Sequence, residues 1–213
     1  MSFFRFPSTP HLAWLSRTTV PREDKLLSAS EVSALLASKV LVEEKIDGAN
    51  IGLSLAEDRT LLIQNRGQYL TAPYAGQFSR LPEWLTQHEE DIRDQLEAPL
   101  ILFGEWSAAR HSIGYDRLPD WFLLFDVYDR AASRFWSSRR RNALASAAGL
   151  TIVPALLCGH TDLTELEQIL AEGSSHYRSG AMEGLVVRRE STDWCESRGK
   201  LVRADFTQAI DEH

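Results

Sequence analysis

Lysine is scarce in this chain: four lysines, Lys25, Lys39, Lys45 and Lys200, stand against 19 arginines in 213 residues. Arginine serves wherever charge alone suffices, so each lysine raises the question of what its amine does that a guanidinium cannot. An amine can lose its proton and become a nucleophile, whereas guanidinium stays charged. Cysteine is almost as rare. Cys158 and Cys195 form neither a disulfide framework nor the paired spacing of a zinc site. No apolar run approaches the ~20 residues that span a bilayer. Met1-Ser2-Phe3-Phe4-Arg5-Phe6-Pro7 lacks the long apolar core of a secretory signal. The expectation is a cytoplasmic protein with no membrane association. A net charge of −7 argues against a chain that coats nucleic acid through general basicity, but leaves room for a local basic surface.

The length suits one large domain, residues 1–213, with no separate C-terminal domain, internal repeat or long linker. Residues 1–27 read as irregular, because Pro7, Pro10 and Pro21 interrupt any long element. Phe3, Phe4, Phe6 and Trp14 mix there with Arg5 and Arg17. Such a segment either stacks on bases and pairs with phosphates or packs across the surface of its own domain, and packing is the commoner use. Ser28-Ala29-Ser30-Glu31 has capping-box spacing and predicts a helix to about Ser38. Further helices are expected at 82–97, with Trp84, Leu85, Ile92 and Leu96 on one stripe, at 137–148 and at 163–171. Strands are expected at 60–65, 100–106, 121–128, 152–157, 182–189 and 200–203. Strands outnumber helices and crossovers are few, which gives an α+β domain on antiparallel sheets. Arg139-Arg140-Arg141 reads as a solvated helix start.

The stretch from Val42 to Asn50 is the one the others serve. Val40 to Val42 end a β-branched strand, Asp47-Gly48 is a tight-turn signal, and Ile51, Leu53 and Leu55 resume a period-two strand, so the reading is a hairpin with Lys45 at its entry. A strand that enters a turn fixes a flexible amine, and a lysine nucleophile has to be fixed and deprotonated. Glu105 and Glu183 fall at or inside apolar strands, where an unpaired carboxylate is costly and a partner is expected. Arg66 lies just past a strand end beside Gly67, and Phe125 reads by its apolar neighbours as core.

Lys45-Ile46-Asp47-Gly48-Ala49-Asn50 resembles the nucleotidyl-lysine motif of the superfamily of polynucleotide ligases and messenger-RNA capping enzymes. Phe103-Gly104-Glu105, Trp121 to Asp126, Glu183 to Arg188, and Gly199 to Arg203 resemble the remaining motifs, in the family's order. The stretch Ala109 to Asp120, leading into Phe125-Asp126-Val127-Tyr128-Asp129, is most similar to ATP-dependent RNA ligases. Asn50 points the same way, since DNA ligases usually carry arginine there. The resemblance covers roughly residues 40 to 206.

That resemblance implies two antiparallel sheets flanking a nucleotide cleft, with ATP and Mg2+ (Mn2+ as an alternative) as cofactors. It implies Lys45 as nucleophile, Lys200 as the cation on the α-phosphate and Glu183 as a further catalytic group. Nucleotide contacts fall to Glu43, Asp47, Gly48, Asn50, Arg66, Glu105, Phe125, Arg198 and Lys200. Glu105 is expected at the ribose, Phe125 on adenine, and Glu183, with Glu105, at the metal. Arg198 or Arg203 would assist Lys200, and of the two only Arg198 shares its strand face. His111 and Ser112 would bind pyrophosphate or a nucleic-acid end, or only shape the loop.

The implied activity is ATP-dependent RNA ligation through lysyl-AMP, joining 5′-phosphate to 3′-hydroxyl RNA ends, best at duplex nicks. The chain is read as a minimal ligase, as a core needing a protein partner for nucleic-acid binding, or as the catalytic part of a longer protein. DNA nick sealing and a non-catalytic nucleotide- or RNA-end-binding module are the alternatives.

Overall fold

The structure is a computed structural model that describes residues 3–16, 26–109 and 114–206. Among the described residues, ten strands form two antiparallel sheets and four helices pack on them. The strands are β1 (Val40–Lys45), β2 (Ala49–Leu55), β3 (Leu61–Gln64), β4 (Tyr69–Leu70), β5 (Leu100–Trp106), β6 (Phe122–Asp129), β7 (Arg134–Phe135), β8 (Ala155–Gly159), β9 (Gly184–Glu190) and β10 (Cys195–Val202). One sheet runs β10-β9-β1-β8 and the other β4-β3-β2-β5-β6-β7. The helices are α1 (Ala29–Leu36), α2 (Leu81–Gln95), α3 (Ser138–Ala147) and α4 (Leu163–Glu172).

Local chemistry explains the helix starts. The Ser28 hydroxyl accepts from the Glu31 N–H while the Glu31 carboxylate accepts from the Ser28 N–H at 2.8 Å, the reciprocal cap that the spacing predicts. Asp162 caps α4 by accepting from the Glu165 N–H at 2.9 Å. Pro82 sits in the first turn of α2, where its missing N–H removes no bond.

Each sheet buries one face under two helices. Leu35 of α1 and Leu166 and Leu170 of α4 pack with Val40, Val42, Leu185, Val187 and Leu201 of the four-stranded sheet. Leu81, Trp84 and Ile92 of α2, with Ala145 of α3, cover Ile51, Leu53, Leu102 and Leu124 of the six-stranded sheet. Each such leucine or isoleucine, fully buried, contributes ~1.5–3 kcal/mol. The remaining faces bound a pocket between the sheets. Among the described residues no helix is long and apolar enough to cross a membrane.

Several expectations change. β1 and β2 do not form a hairpin: β1 pairs with β8 and β9, and β2 with β3 and β5, so Ile46 to Gly48 carry the chain from one sheet to the other. The glycine at position 48 answers a close approach rather than a tight turn. A Cβ there would lie 2.6 Å from the Trp106 carbonyl oxygen and 2.8 Å from Ser107 Oγ. The strand expected at 152–157 lies at Ala155–Gly159, while Ile152 bridges Leu124 alone. The last strand starts at Cys195 and ends before Arg203. β4 and β7, of two residues each, were too short to register as a period. Arg141 is not solvated but 1% exposed.

Candidate functional site

Strand register assembles the site. In β1, the period of two puts Glu43 and Lys45 on one face, and Lys45 lies opposite Gly184 of β9. Glu183 immediately precedes that glycine. Its carboxylate accepts from the Lys45 amine through both oxygens, Oε1 at 2.6 Å and Oε2 at 2.7 Å. Gly184 has no room for a side chain, since a Cβ would come within 2.5 Å of the Leu201 carbonyl oxygen. On β10, Lys200 lies opposite Val186 and Arg198 opposite Arg188. From the second sheet, Asn50 of β2 faces Glu105 of β5 across the ladder.

These side chains line one pocket of about 720 Å3, counting its open mouth. Of the residues the sequence singled out, Glu43, Lys45, Asn50, Arg66, Glu105, Phe125, Arg198 and Lys200 line it. Glu183 reaches it through Lys45. Asp47 and Gly48 shape the crossing segment instead: the Asp47 N–H donates to the Tyr115 hydroxyl at 2.7 Å. Arg203 turns away, toward Asp205 and the Leu170 carbonyl, so Arg198 is the arginine that accompanies Lys200. His111 and Ser112 lie outside the described residues.

Glu43 is less open than expected. Arg141 Nη2 donates to Glu43 Oε1 at 2.6 Å, with both side chains buried. Arg141 Nη1 also donates to the Phe125 carbonyl at 2.7 Å. Nearby, Asp126 accepts from Arg188 Nη1 at 2.6 Å and from Arg198. Arg188 Nε also lies 3.9 Å from Glu43 Oε2, so one ion network joins β1, β6, α3, β9 and β10 along the pocket wall. Reasoning from sequence did not assign Arg188, Asp126 or Arg141. The first two lay within quoted motifs, and an arginine inside an apolar strand (Val186-Val187-Arg188) was the available signal, since such a charge requires a partner.

Electrostatics concentrate at Lys45. Burial works against its charge, but Glu183, Glu105 and Asp47 outweigh it and hold the ammonium form above its ordinary value. Burial lifts the Glu183 carboxyl, with Lys45 opposing. Burial likewise raises Glu105 to about 7, against the pull of Lys45 and Arg66. Asn50 Oδ1 is buried with no hydrogen-bond partner among the described residues, leaving an acceptor for a ligand's donor.

No group of three or more His, Cys, Asp or Glu suited to a metal occurs among the described residues. Glu105 and Glu183 remain, and two carboxylates fit an ion such as Mg2+, which takes its other ligands from water and phosphate.

Two antiparallel sheets closing on a lysine-bearing cleft define a nucleotidyltransferase-like fold. Comparisons with known proteins agree. A Naegleria gruberi RNA ligase solved with PPi superimposes with a TM-score of 0.67 at 20% identity, over 96% of this chain and 63% of that one. An arginine-to-alanine mutant of the same ligase with ATP and Mn gives 0.67 at 20% identity, over 83% and 53%. An archaeal ATP-dependent RNA ligase gives 0.67 at 20% identity, over 96% and 49%. The chain therefore spans about half to three-fifths of the length of these relatives. No curated protein matches by sequence. The RNA ligase family profile matches residues 38–202, and the chain belongs to that family.

Proposed function

We propose that this protein is an ATP-dependent RNA ligase that works through a lysyl-AMP intermediate. The observation that carries the proposal is the Lys45–Glu183 contact, set in one pocket with Lys200, Arg198, Glu105 and Phe125. Relatives of the same fold bind ATP, Mn and pyrophosphate, the nucleotide, a divalent ion and the leaving group that such a step requires.

In the proposed first step the deprotonated Lys45 Nζ attacks the α-phosphorus of ATP. An N–P bond forms, the P–O bond to pyrophosphate breaks, and the proton from the amine leaves to solvent. Glu183 aims the amine, and Lys200 with Arg198 offsets charge on the phosphates. Phe125 presents a ring to adenine, and Glu105 faces the sugar. Glu183 and Glu105 would hold a divalent ion; when bound, it screens phosphate charge and favours the unprotonated amine. AMP then passes to an RNA 5′-phosphate, and a 3′-hydroxyl displaces it. Alignment of the ends supplies most of that last step, which favours nicks held by a duplex.

Mass spectrometry after incubation with ATP and Mg2+ tests the reading. The expected result is a mass gain of one AMP, acid-labile and located on Lys45, that is lost in Lys45→Arg because guanidinium does not serve as a nucleophile. A full-strength adduct in Lys45→Arg would sink the assignment. Gel-resolved joining of nicked RNA, nicked DNA and single strands separates RNA ligation from DNA nick sealing, and an absent adduct would leave only a binding module.

A further inference from the structure

The family match begins at residue 38, yet the pocket does not. Phe6 and Thr9 line it too, from a segment that contains no helix or named strand among residues 3–16. That segment lies across both sheets. At one end the Phe4 ring stacks on Tyr128 of the six-stranded sheet with 3.7 Å between centroids, and Gln64 Nε2 donates to the Phe4 carbonyl at 2.8 Å. At the other end it adds to the edge of the four-stranded sheet. The Lys200 N–H donates to the Pro10 carbonyl at 2.9 Å, and the Leu12 N–H donates to the Lys200 carbonyl at 2.8 Å. Gly199 makes that docking close, because a Cβ there would meet Leu12 Cδ2 at 2.8 Å.

Between these anchors stands Phe6, 5% exposed. Its ring meets Phe125 at 5.2 Å and 74°, close to perpendicular, and the Arg198 guanidinium lies 4.7 Å from its centroid. Phe6 therefore touches both a ring expected under the base and a cation expected near the phosphates.

We infer that Phe6 is a nucleotide-binding residue: the N-terminal segment supplies an end wall of the base pocket and holds Arg198 and Lys200 in place. This rests on the ATP reading above. An aromatic wall set perpendicular to the stacking ring limits how far a base slides along it, and it keeps Arg198 from swinging into solvent. Its contribution lies in affinity, since its ring meets Phe103, Phe125, Phe135 and Arg198 and not the Lys45–Glu183 pair.

The test measures Lys45 adenylylation against ATP concentration in the full chain, for wild type, Phe6→Ala and Phe4→Ala. Phe4 packs on the same aromatic cluster but does not line the pocket, so Phe4→Ala controls for loosening of the segment. The expected result is an ATP KM raised about tenfold in Phe6→Ala, in line with loss of one aromatic contact to a base. The rate at saturating ATP should fall by a smaller factor than the KM rises, and the KM of Phe4→Ala should stay near wild type. Phe6→Leu, which keeps bulk without a ring, should fall between. An unchanged KM in Phe6→Ala, or an equal rise in Phe4→Ala, overturns the inference while leaving the ATP reading intact. A wild-type chain that takes no AMP removes both.

Discussion

Lys45 and Glu183 are 138 positions apart in sequence, yet both carboxylate oxygens of Glu183 accept from the same amine, at 2.6 and 2.7 Å. The pair stores the lysine as an ammonium ion. That is the wrong form for the proposed attack but a fixed position from which to make it, so on that reading Glu183 would control both properties.

The pH dependence of adenylylation should report this pair. Lys45 is held above its ordinary value because Glu183, Glu105 and Asp47 outweigh burial. Raising the pH removes its proton, so the rate should climb on the alkaline side. Glu183→Gln removes the largest stabiliser of the ammonium form, and the alkaline rise should move to lower pH even if the maximal rate falls. Single-turnover labelling from about pH 6 to about pH 11.5 follows the rise in both proteins and reads how far its midpoint shifts, against a free-lysine reference of ~10.4. An unmoved midpoint would show that the contact does not govern the amine.

Glu105 should make stability depend on pH. Its carboxyl titrates at about 7 in the fold, raised chiefly by burial, so the folded state holds a proton that the unfolded state releases near pH ~4.3. Stability from this group is present below the unfolded value and is lost as pH rises through about 7. Glu105→Gln keeps the neutral shape. Relative to wild type, it should gain on the order of 2 kcal/mol between pH 5 and pH 8, a figure reduced for the side chain's partial exposure. Urea unfolding at both pH values measures this, and equal slopes for the two proteins would refute it.

Gly48→Ala should damage the site through the backbone. The added methyl would meet the Trp106 carbonyl oxygen at 2.6 Å and Glu105 Cγ at 3.0 Å. A carbonyl inside a paired strand does not yield, so Ile46 to Gly48 must shift and carry Lys45 with them. Overpacking of this kind costs ~1–3 kcal/mol. Thermal melts should show the loss, and adenylylation should fall further than the melting shift explains. A variant with wild-type labelling would contradict this placement of the crossing segment.

Removing Arg141 should cost more than its place in an arginine run suggests. Its guanidinium is fully buried against Glu43, and Arg141→Ala would leave that carboxylate only the more distant Arg188, at 3.9 Å, with a loss of ~3 kcal/mol, the low end for a broken buried pair. Glu43→Leu combined with Arg141→Met removes both charges and should recover most of it. Chemical denaturation of the two single variants and the double closes the cycle. Additive losses would mean that the pair is not coupled.

Local rules account for what the sequence showed well. The Ser28–Glu31 cap, the α2 stripe and the apolar run of β5 depend on residues a few positions apart, and each lies within a few positions of where its pattern placed it. Pattern reasoning failed where a local signal had two tertiary meanings. Asp47-Gly48 suits a hairpin turn and also a passage between sheets, and only the partners of β1 and β2 separate the two. An arginine run suits a wet helix start until one member, Arg141, meets a buried carboxylate contributed by a distant strand.

The sequence by itself determined the residue types and their order: a lysine before Asp-Gly, two carboxylates in apolar surroundings, and a late lysine. These resemble the motifs of nucleotidyl-lysine proteins, and the RNA ligase profile matches them as one block over residues 38–202. Only the tertiary structure decided which of them meet. It set Glu183 on Lys45, put Arg198 rather than Arg203 beside Lys200, buried Arg141 on Glu43 and brought Phe6 into the pocket wall. Those pairings are fixed by strand register and by which faces the sheets turn toward each other. Contacts between residues dozens to more than a hundred positions apart leave no period in the chain, so nothing local could carry them.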